Sequence, residues 1–208
     1  MDEMLNGSYN FISRTTNINT KNLIPFINEL SLELEKEHTQ LGLFSGETSN
    51  IQYNPINFFQ HYNIFLYQNE ELYDLLQVIK DMTIEMCNRL NIDYNKQKYH
   101  VHGWINRYHG ELNNAKKENY PWHTHGDEED HFHGILGVDS EPSVTHYRID
   151  GQEMDLQQIN GRAVLLTNYE HSHGLWNEDR PRITLAFNVK PIKELPDIKL
   201  GKISYIPL

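Results

Sequence analysis

Tyr99-His100-Val101-His102-Gly103-Trp104-Ile105-Asn106-Arg107-Tyr108 is where this chain changes its period. The segment alternates and is rich in β-branched and aromatic residues, which predicts a strand. Five more short runs follow, at 131–138, 143–149, 161–166, 171–176 and 182–189, each bounded by Gly, Pro, Asn or Asp. Short strands at this spacing predict a sandwich or barrel, not a parallel sheet.

Upstream, the period is helical. Over 70–90, Leu72, Leu75, Leu76, Ile79, Met82, Met86 and Leu90 form one apolar stripe, the pattern of a helix packed on a core. Over 21–38, Leu23, Phe26, Ile27, Leu30 and Leu34 repeat that spacing. Asn22 is expected to cap this helix, with Pro25 in its first turn. Residues 1–20 are polar and read as an extended arm or a first edge strand. Residues 40–63 read as loop with short extended pieces. The segment 110–121, with Lys116 and Lys117, reads as a polar loop, placed to serve as a lid or as a plain surface excursion. The fold class expected is α+β: a jelly roll (double-stranded β-helix) with N-terminal helices packed against it. Residues 1–98 would be the helical support and 99–208 the jelly-roll core of one structural domain.

At 208 residues the chain is long enough to bury a sizeable core. Its net charge of -11 argues against nucleic acid as partner, because phosphate binding rests on Lys and Arg. It gives no reason to expect an anionic membrane surface, and weakly favours a neutral or cationic substrate. The single cysteine, Cys87, allows no disulfide within the chain and reads as a small buried apolar residue. No secretory signal and no membrane-length apolar run is visible, so a cytoplasmic location is expected.

The chemistry lies in the histidines. Ten of the twelve fall between His100 and His173. Two groups stand out: Trp122-His123-Thr124-His125-Gly126-Asp127, and His171-Ser172-His173. Neutral imidazole is the commonest metal-ligand side chain. Residues i and i+2 of a strand share a face, and a strand some fifty residues on can return beside it. His125 precedes His173 by 48 residues and His123 precedes it by 50. Two imidazoles and a carboxylate on one side of a metal would leave its other side open.

The segment 104–191, about 90 of the 208 residues, resembles the catalytic core of the Fe(II)/2-oxoglutarate-dependent dioxygenase superfamily. Gly161-Arg-Ala-Val-Leu-Leu, His173-Gly-Leu-Trp-Asn and Arg182-Ile-Thr-Leu-Ala-Phe-Asn are similar to its glycine turn, distal iron histidine and final strand opened by arginine. His-x-x-Trp-Asn and Pro-Arg-Ile-x-Leu also resemble the aspartyl/asparaginyl β-hydroxylase branch. Asn106-Arg107-Tyr108 and the His-x-His pair resemble phage and bacterial 2-oxoglutarate oxygenases.

The resemblance implies an iron site of His125, Asp127 and His173, with His123 as the alternative third ligand in place of Asp127. It implies Arg182 as the partner of the far carboxylate of 2-oxoglutarate, with Tyr108 and His133 reaching the same co-substrate. Trp122 and Trp176 would wall the substrate side. His171 would stand behind the ligands, and Arg180 is a second candidate arginine. No catalytic side chain is implied beyond the metal ligands. The cofactors would be Fe(II), 2-oxoglutarate and O2, with ascorbate in support. The activity implied is hydroxylation of an amino-acid, peptide, protein or small-molecule substrate, with release of succinate and CO2. Two other readings remain open on the residues alone: a cupin-like metalloenzyme that does not use 2-oxoglutarate, and a non-enzymatic jelly-roll binding module.

Overall fold

The computed structural model describes residues 10–40, 62–108, 121–125, 131–149, 151–167, 169–191 and 205–208. The expectations for Asp127, for the loop at 110–120 and for most of 40–63 fall outside these residues.

Two helices lead. Helix α1 (Thr20–Gln40) buries Leu23, Ile27, Leu30 and Leu34, and α2 (Glu70–Arg89) buries Leu72, Leu75, Ile79, Met82 and Met86. These are the two stripes read from the sequence. Each such side chain stabilises the fold by ~1.5–3 kcal/mol through burial. Cys87 is buried in the same core. Asn69 caps α2 by accepting from Glu71 N, Glu70 and Glu71 occupy its first turn and Arg89 its last, all favourable to the helix dipole.

The start of α1 differs from expectation. The helix begins at Thr20, so Asn22 lies inside it rather than capping it, and Pro25 falls in the second turn. The Asn22 amide instead donates to Glu71 Oε1 at 3.0 Å, while Asn19 N donates to Glu71 Oε2 at 2.8 Å. One carboxylate thus ties the first turn of α1 to the first turn of α2. A proline this early removes one N–H near the helix start, where helices tolerate it better than in their middle.

The strands form two facing sheets. The larger has the order β1-β6-β3-β8-β2-β9, from β1 (Phe11–Thr15), β2 (Tyr99–Tyr108), β3 (Phe132–Asp139), β6 (Arg162–Leu166), β8 (Arg182–Pro191) and β9 (Ile206–Pro207). The smaller has the order β5-β4-β7, from β4 (Val144–Ile149), β5 (Gln152–Gln157) and β7 (Glu170–His173). This is a double-stranded β-helix with helices on the outside of its larger sheet. Leu185, Phe187 and Val189 of β8 belong to the same core as the helices. Phe11, Tyr147, Ile149, Leu156, Val164 and Leu166 pack between the sheets.

Three strands depart from the sequence reading. β5 was not expected, because only Leu156 of its six residues is buried and four of the other five are polar and exposed. β7 ends at His173 instead of 176. Trp176 follows as a buried loop residue whose indole N–H donates to Arg180 O at 2.6 Å. β9 is a short C-terminal addition to the edge of β2, at His100↔Pro207 and Val101↔Ile206.

Register places the site. β8 lies between β2 and β3, and its residues Arg182, Thr184, Ala186, Asn188 and Lys190 share the face turned to the smaller sheet. Across that face run Tyr108↔Arg182, Asn106↔Thr184↔Gly137, Trp104↔Ala186↔Ile135 and His102↔Asn188↔His133. In the smaller sheet, Thr145 and Tyr147 are buried and pair with His173 and His171. Gly161 opens β6 at φ 81°, a conformation that disfavours any side chain. No helix among the described residues is long and apolar enough to cross a membrane.

Candidate metal centre

His123, His125 and His171 bring one ligand-capable atom each within 4.8 Å of one another. The backbone builds this. His123 and His171 form an antiparallel bridge, each N–H donating to the other's carbonyl at 3.0 Å. The bridge extends the smaller sheet past β7, and His125, two residues on, returns to the same side. The rings of His123 and His171 lie 4.3 Å apart, and each is 5.0 Å from His125.

Hydrogen bonds fix two of the surrounding rings. His123 Nδ1 is 2.9 Å from Pro121 O. A carbonyl only accepts, so this nitrogen carries the proton and Nε2 keeps its lone pair. His133 Nδ1 meets Asn188 Oδ1 at 2.8 Å, and the His133 ring stacks on His125, centroids 3.7 Å apart and planes 14° from parallel. His171 Nδ1 is buried with no well-formed hydrogen bond, and only the Tyr169 backbone acts on the ring as a hydrogen-bonding group. Three imidazoles converging within 4.8 Å fit a metal ion, which takes lone pairs that no donor takes.

Burial, reinforced by the neighbouring imidazoles, pushes His125 and His171 down to about 3. His133 and His173 are also held well below the ordinary value, first by burial. All four are therefore neutral at pH 7, the state that coordinates a metal.

A second compartment adjoins the cluster. Arg182 is fully buried, and its Nε donates to Ser143 Oγ at 2.8 Å. The hydroxyls of Tyr147 and Thr184 are buried with no hydrogen-bond partner. Burial pushes the Tyr147 phenol up, and the charge of Arg182 pulls it part of the way back. Tyr147 pairs with His171, and their rings are 6.0 Å apart. A buried guanidinium beside two hydroxyls that lack partners has the chemistry to accept a carboxylate. A small cleft beside the cluster is lined by His131, Phe132, Thr167 and Tyr169, with His125, His133 and His171.

Sequence-selected residues are distributed unevenly around this centre. His125 and His123 are in the cluster, and so is His171, which the resemblance had set behind the ligands. His173 lies further along β7, its ring 5.5 Å from His171 and 5.9 Å from His123, and it feels the charge of Arg182. Tyr108 is the register partner of Arg182. His133 backs His125 through its ring. Trp122 has its ring 3.9 Å from the Arg148 guanidinium, and Arg148 in turn meets the exposed carboxylates of Glu153 and Glu170. Arg180 pairs with Asp139 and donates to Glu141 O at 2.6 Å.

Sequence reasoning missed Tyr147, Thr184, Ser143 and Asn188. Thr184 and Asn188 were within reach, because residues two and six after Arg182 share its face on a strand. Tyr147 and Ser143 carried no such signal.

No protein-family profile matches the sequence, and no curated protein does. Solved structures do match. A prolyl-4-hydroxylase from Pseudomonas putida superposes with a TM-score of 0.55 at 13% identity, covering 94% of each chain. The non-heme monooxygenase ThoJ in its apo form superposes with a TM-score of 0.54 at 10% identity, over 96% of this chain and 80% of that one. Its nickel complex gives 0.52 at the same identity and coverage. At these identities the likeness is one of fold.

Proposed function

We propose that this chain is an Fe(II)- and 2-oxoglutarate-dependent oxygenase that hydroxylates an amino-acid, peptide, protein or small-molecule substrate. The observation that carries the reading is the adjacency of the His123–His125–His171 cluster to the buried guanidinium of Arg182. A metal-imidazole site alone fits many activities. A metal-imidazole site with a closed carboxylate receptor behind it fits a dicarboxylate co-substrate. The similarity of fold to a prolyl-4-hydroxylase and a non-heme monooxygenase supports this reading.

His123, His125 and His171 would hold the iron. All three are needed for a closed set among the described residues, and the bridge that sets His171 beside His123 favours it over His173. Arg182 would hold the far carboxylate of 2-oxoglutarate, with the Thr184 and Tyr147 hydroxyls completing its hydrogen bonds. Bound together, iron and 2-oxoglutarate would activate O2, the oxidant, with one oxygen atom passing to the substrate and the other to succinate as CO2 is released. The chain's own residues set the conditions. Burial keeps the imidazoles unprotonated, Pro121 and Asn188 hold ring orientation, and the packed sheets exclude water around Arg182.

The test is an anaerobic titration. Fe(II) is added to one equivalent, then 2-oxoglutarate, while the visible absorption of the metal is followed. A new charge-transfer band with 2-oxoglutarate, and succinate formation once oxygen and ascorbate are admitted, is the expected result. No spectral change and no succinate would refute the proposal.

A further inference from the structure

The inner face of β8 changes character along its length. Arg182 and Thr184 stand at one end, in the closed compartment. Asn188 is level with the histidine cluster, since it holds His133, on which His125 stacks. Lys190 is the next residue on that face, roughly 7 Å beyond Asn188 at ~3.3 Å per residue. It therefore lies on the opposite side of the cluster from Arg182.

The C-terminal strand completes this end. β9 pairs with β2, Leu208 N donates to Tyr99 O at 3.0 Å, and the Tyr94 hydroxyl donates to Leu208 O at 3.1 Å. So anchored, Tyr205 sets its ring 4.4 Å from Lys190 Nζ and 5.5 Å from the ring of His102. His102 is buried and is the register partner of Asn188. Among the described residues no carboxylate pairs with Lys190. In a chain of net charge -11, an ammonium turned to the inner face, resting on a phenol ring beside an imidazole, is a local exception to the overall sign.

We propose that Lys190, Tyr205 and His102 form the substrate-recognition end of the site, and that they bind a carboxylate of the substrate while its reacting carbon lies at the histidine cluster. The overall charge pointed weakly to a neutral or cationic substrate, but recognition follows the local field. One ammonium balances one negative charge, which suits a monocarboxylate. A phosphate dianion would leave a charge uncompensated in a half-buried place. The reading rests on the histidine cluster being the reaction centre.

Saturation-transfer NMR on the metal-free full-length chain tests this without iron, 2-oxoglutarate or turnover, so its failure is separate from failure of the oxygenase reading. The probes are monocarboxylic acids (free amino acids, N-acetyl amino acids and short aliphatic acids) and their primary amides, with inorganic phosphate as competitor. At least one acid should bind, with its amide at least ~10-fold weaker, the scale of one charge-assisted hydrogen bond. Lys190→Gln should weaken that acid by a similar factor, Lys190→Arg should retain it, and Tyr205→Leu should weaken it. Arg182→Gln should leave it unchanged. Thermal melts establish that each variant is folded. The proposal is overturned if no acid binds, if amides bind as well as acids, or if phosphate displaces the acids at lower concentration than they bind. It is equally overturned if Lys190→Gln binds as the parent does, or if Arg182→Gln is the variant that loses binding.

Discussion

The imidazoles of His125 and His133 lie face to face, 3.7 Å between centroids, and His133 is fixed from behind by Asn188 Oδ1. His125 therefore reaches the cluster from a ring already oriented by β3 and β8. Partners of this kind hold a ligand in place without touching the metal. His133→Ala should weaken metal affinity by ~10–100-fold while leaving the stoichiometry at one, the range usual for an outer partner. His133→Phe, which keeps a stacking face and loses the hydrogen bond, should recover part of that loss. A metal titration monitored by absorption or calorimetry checks both. If His133→Ala binds metal as the parent does, the stack is packing only.

His171 and His173 share a face of β7 and differ in what they meet. His171 sits in the cluster, bridged to His123, whereas His173 meets the charge of Arg182. His171→Ala should abolish stoichiometric metal binding. His173→Ala should keep the metal and weaken 2-oxoglutarate, because it opens the wall of the Arg182 compartment. His123→Ala should resemble His171→Ala, and Asp127→Asn should retain the metal, as a three-histidine set requires. Metal content after gel filtration separates these outcomes, and loss of metal from Asp127→Asn alone would restore a carboxylate to the ligand set.

Much of this was legible in the residues. Period alone marked both helices, and α2 carries the stripe that was read for it. The switch to alternation at Tyr99 marked β2. The histidine pairs marked the site before any contact was known. What stayed hidden had physical reasons. β5 shows one buried residue in six, so period 2 could not reveal it. The choice between His171 and His173 is invisible to period, because both share one face. What sets His171 apart is its bridge to His123, a contact between segments far apart in sequence. Tyr147 is placed by its pairing with His171, which no local pattern encodes.

Acid should loosen the first strand from the second helix. Glu85 receives Arg14 of β1 and Arg89 of α2. Partial burial pushes its carboxyl up, but the hydrogen bonds and charges of the two arginines outweigh that and hold it below its ordinary value. A carboxyl harder to protonate when folded contributes stability that is complete above the unfolded value near 4.5 and is lost as pH falls through the folded one. All three side chains are partly exposed, so solvent screening limits the effect to about 1 kcal/mol at most. Glu85→Gln should therefore melt slightly lower than the parent at pH 7, and the gap should close as the pH falls below 4.5 and through the folded value. A gap that persists or widens in acid would mean that Glu85 acts through something other than its charge.

Arg182 makes the sharpest prediction. Its guanidinium is fully buried, with Ser143 at Nε and the hydroxyls of Tyr147 and Thr184 nearby without partners. Removing the cation takes away a bidentate, charge-assisted contact, whereas removing a hydroxyl takes away one neutral hydrogen bond. Arg182→Gln should therefore weaken 2-oxoglutarate by ~100-fold or more with metal binding intact. Thr184→Val and Tyr147→Phe should each cost ~2–10-fold, consistent with about 0.5–1.5 kcal/mol. The same hydroxyls lose nothing in the empty protein, since each lacks a partner there. Thr184→Val and Tyr147→Phe should thus leave the melting temperature of the ligand-free chain unchanged or raise it, while reducing the rise that 2-oxoglutarate produces. Calorimetric affinities and melts with and without 2-oxoglutarate check the pattern. If the hydroxyl variants destabilise the ligand-free chain and bind 2-oxoglutarate as the parent does, this compartment is a structural polar core and not a co-substrate site.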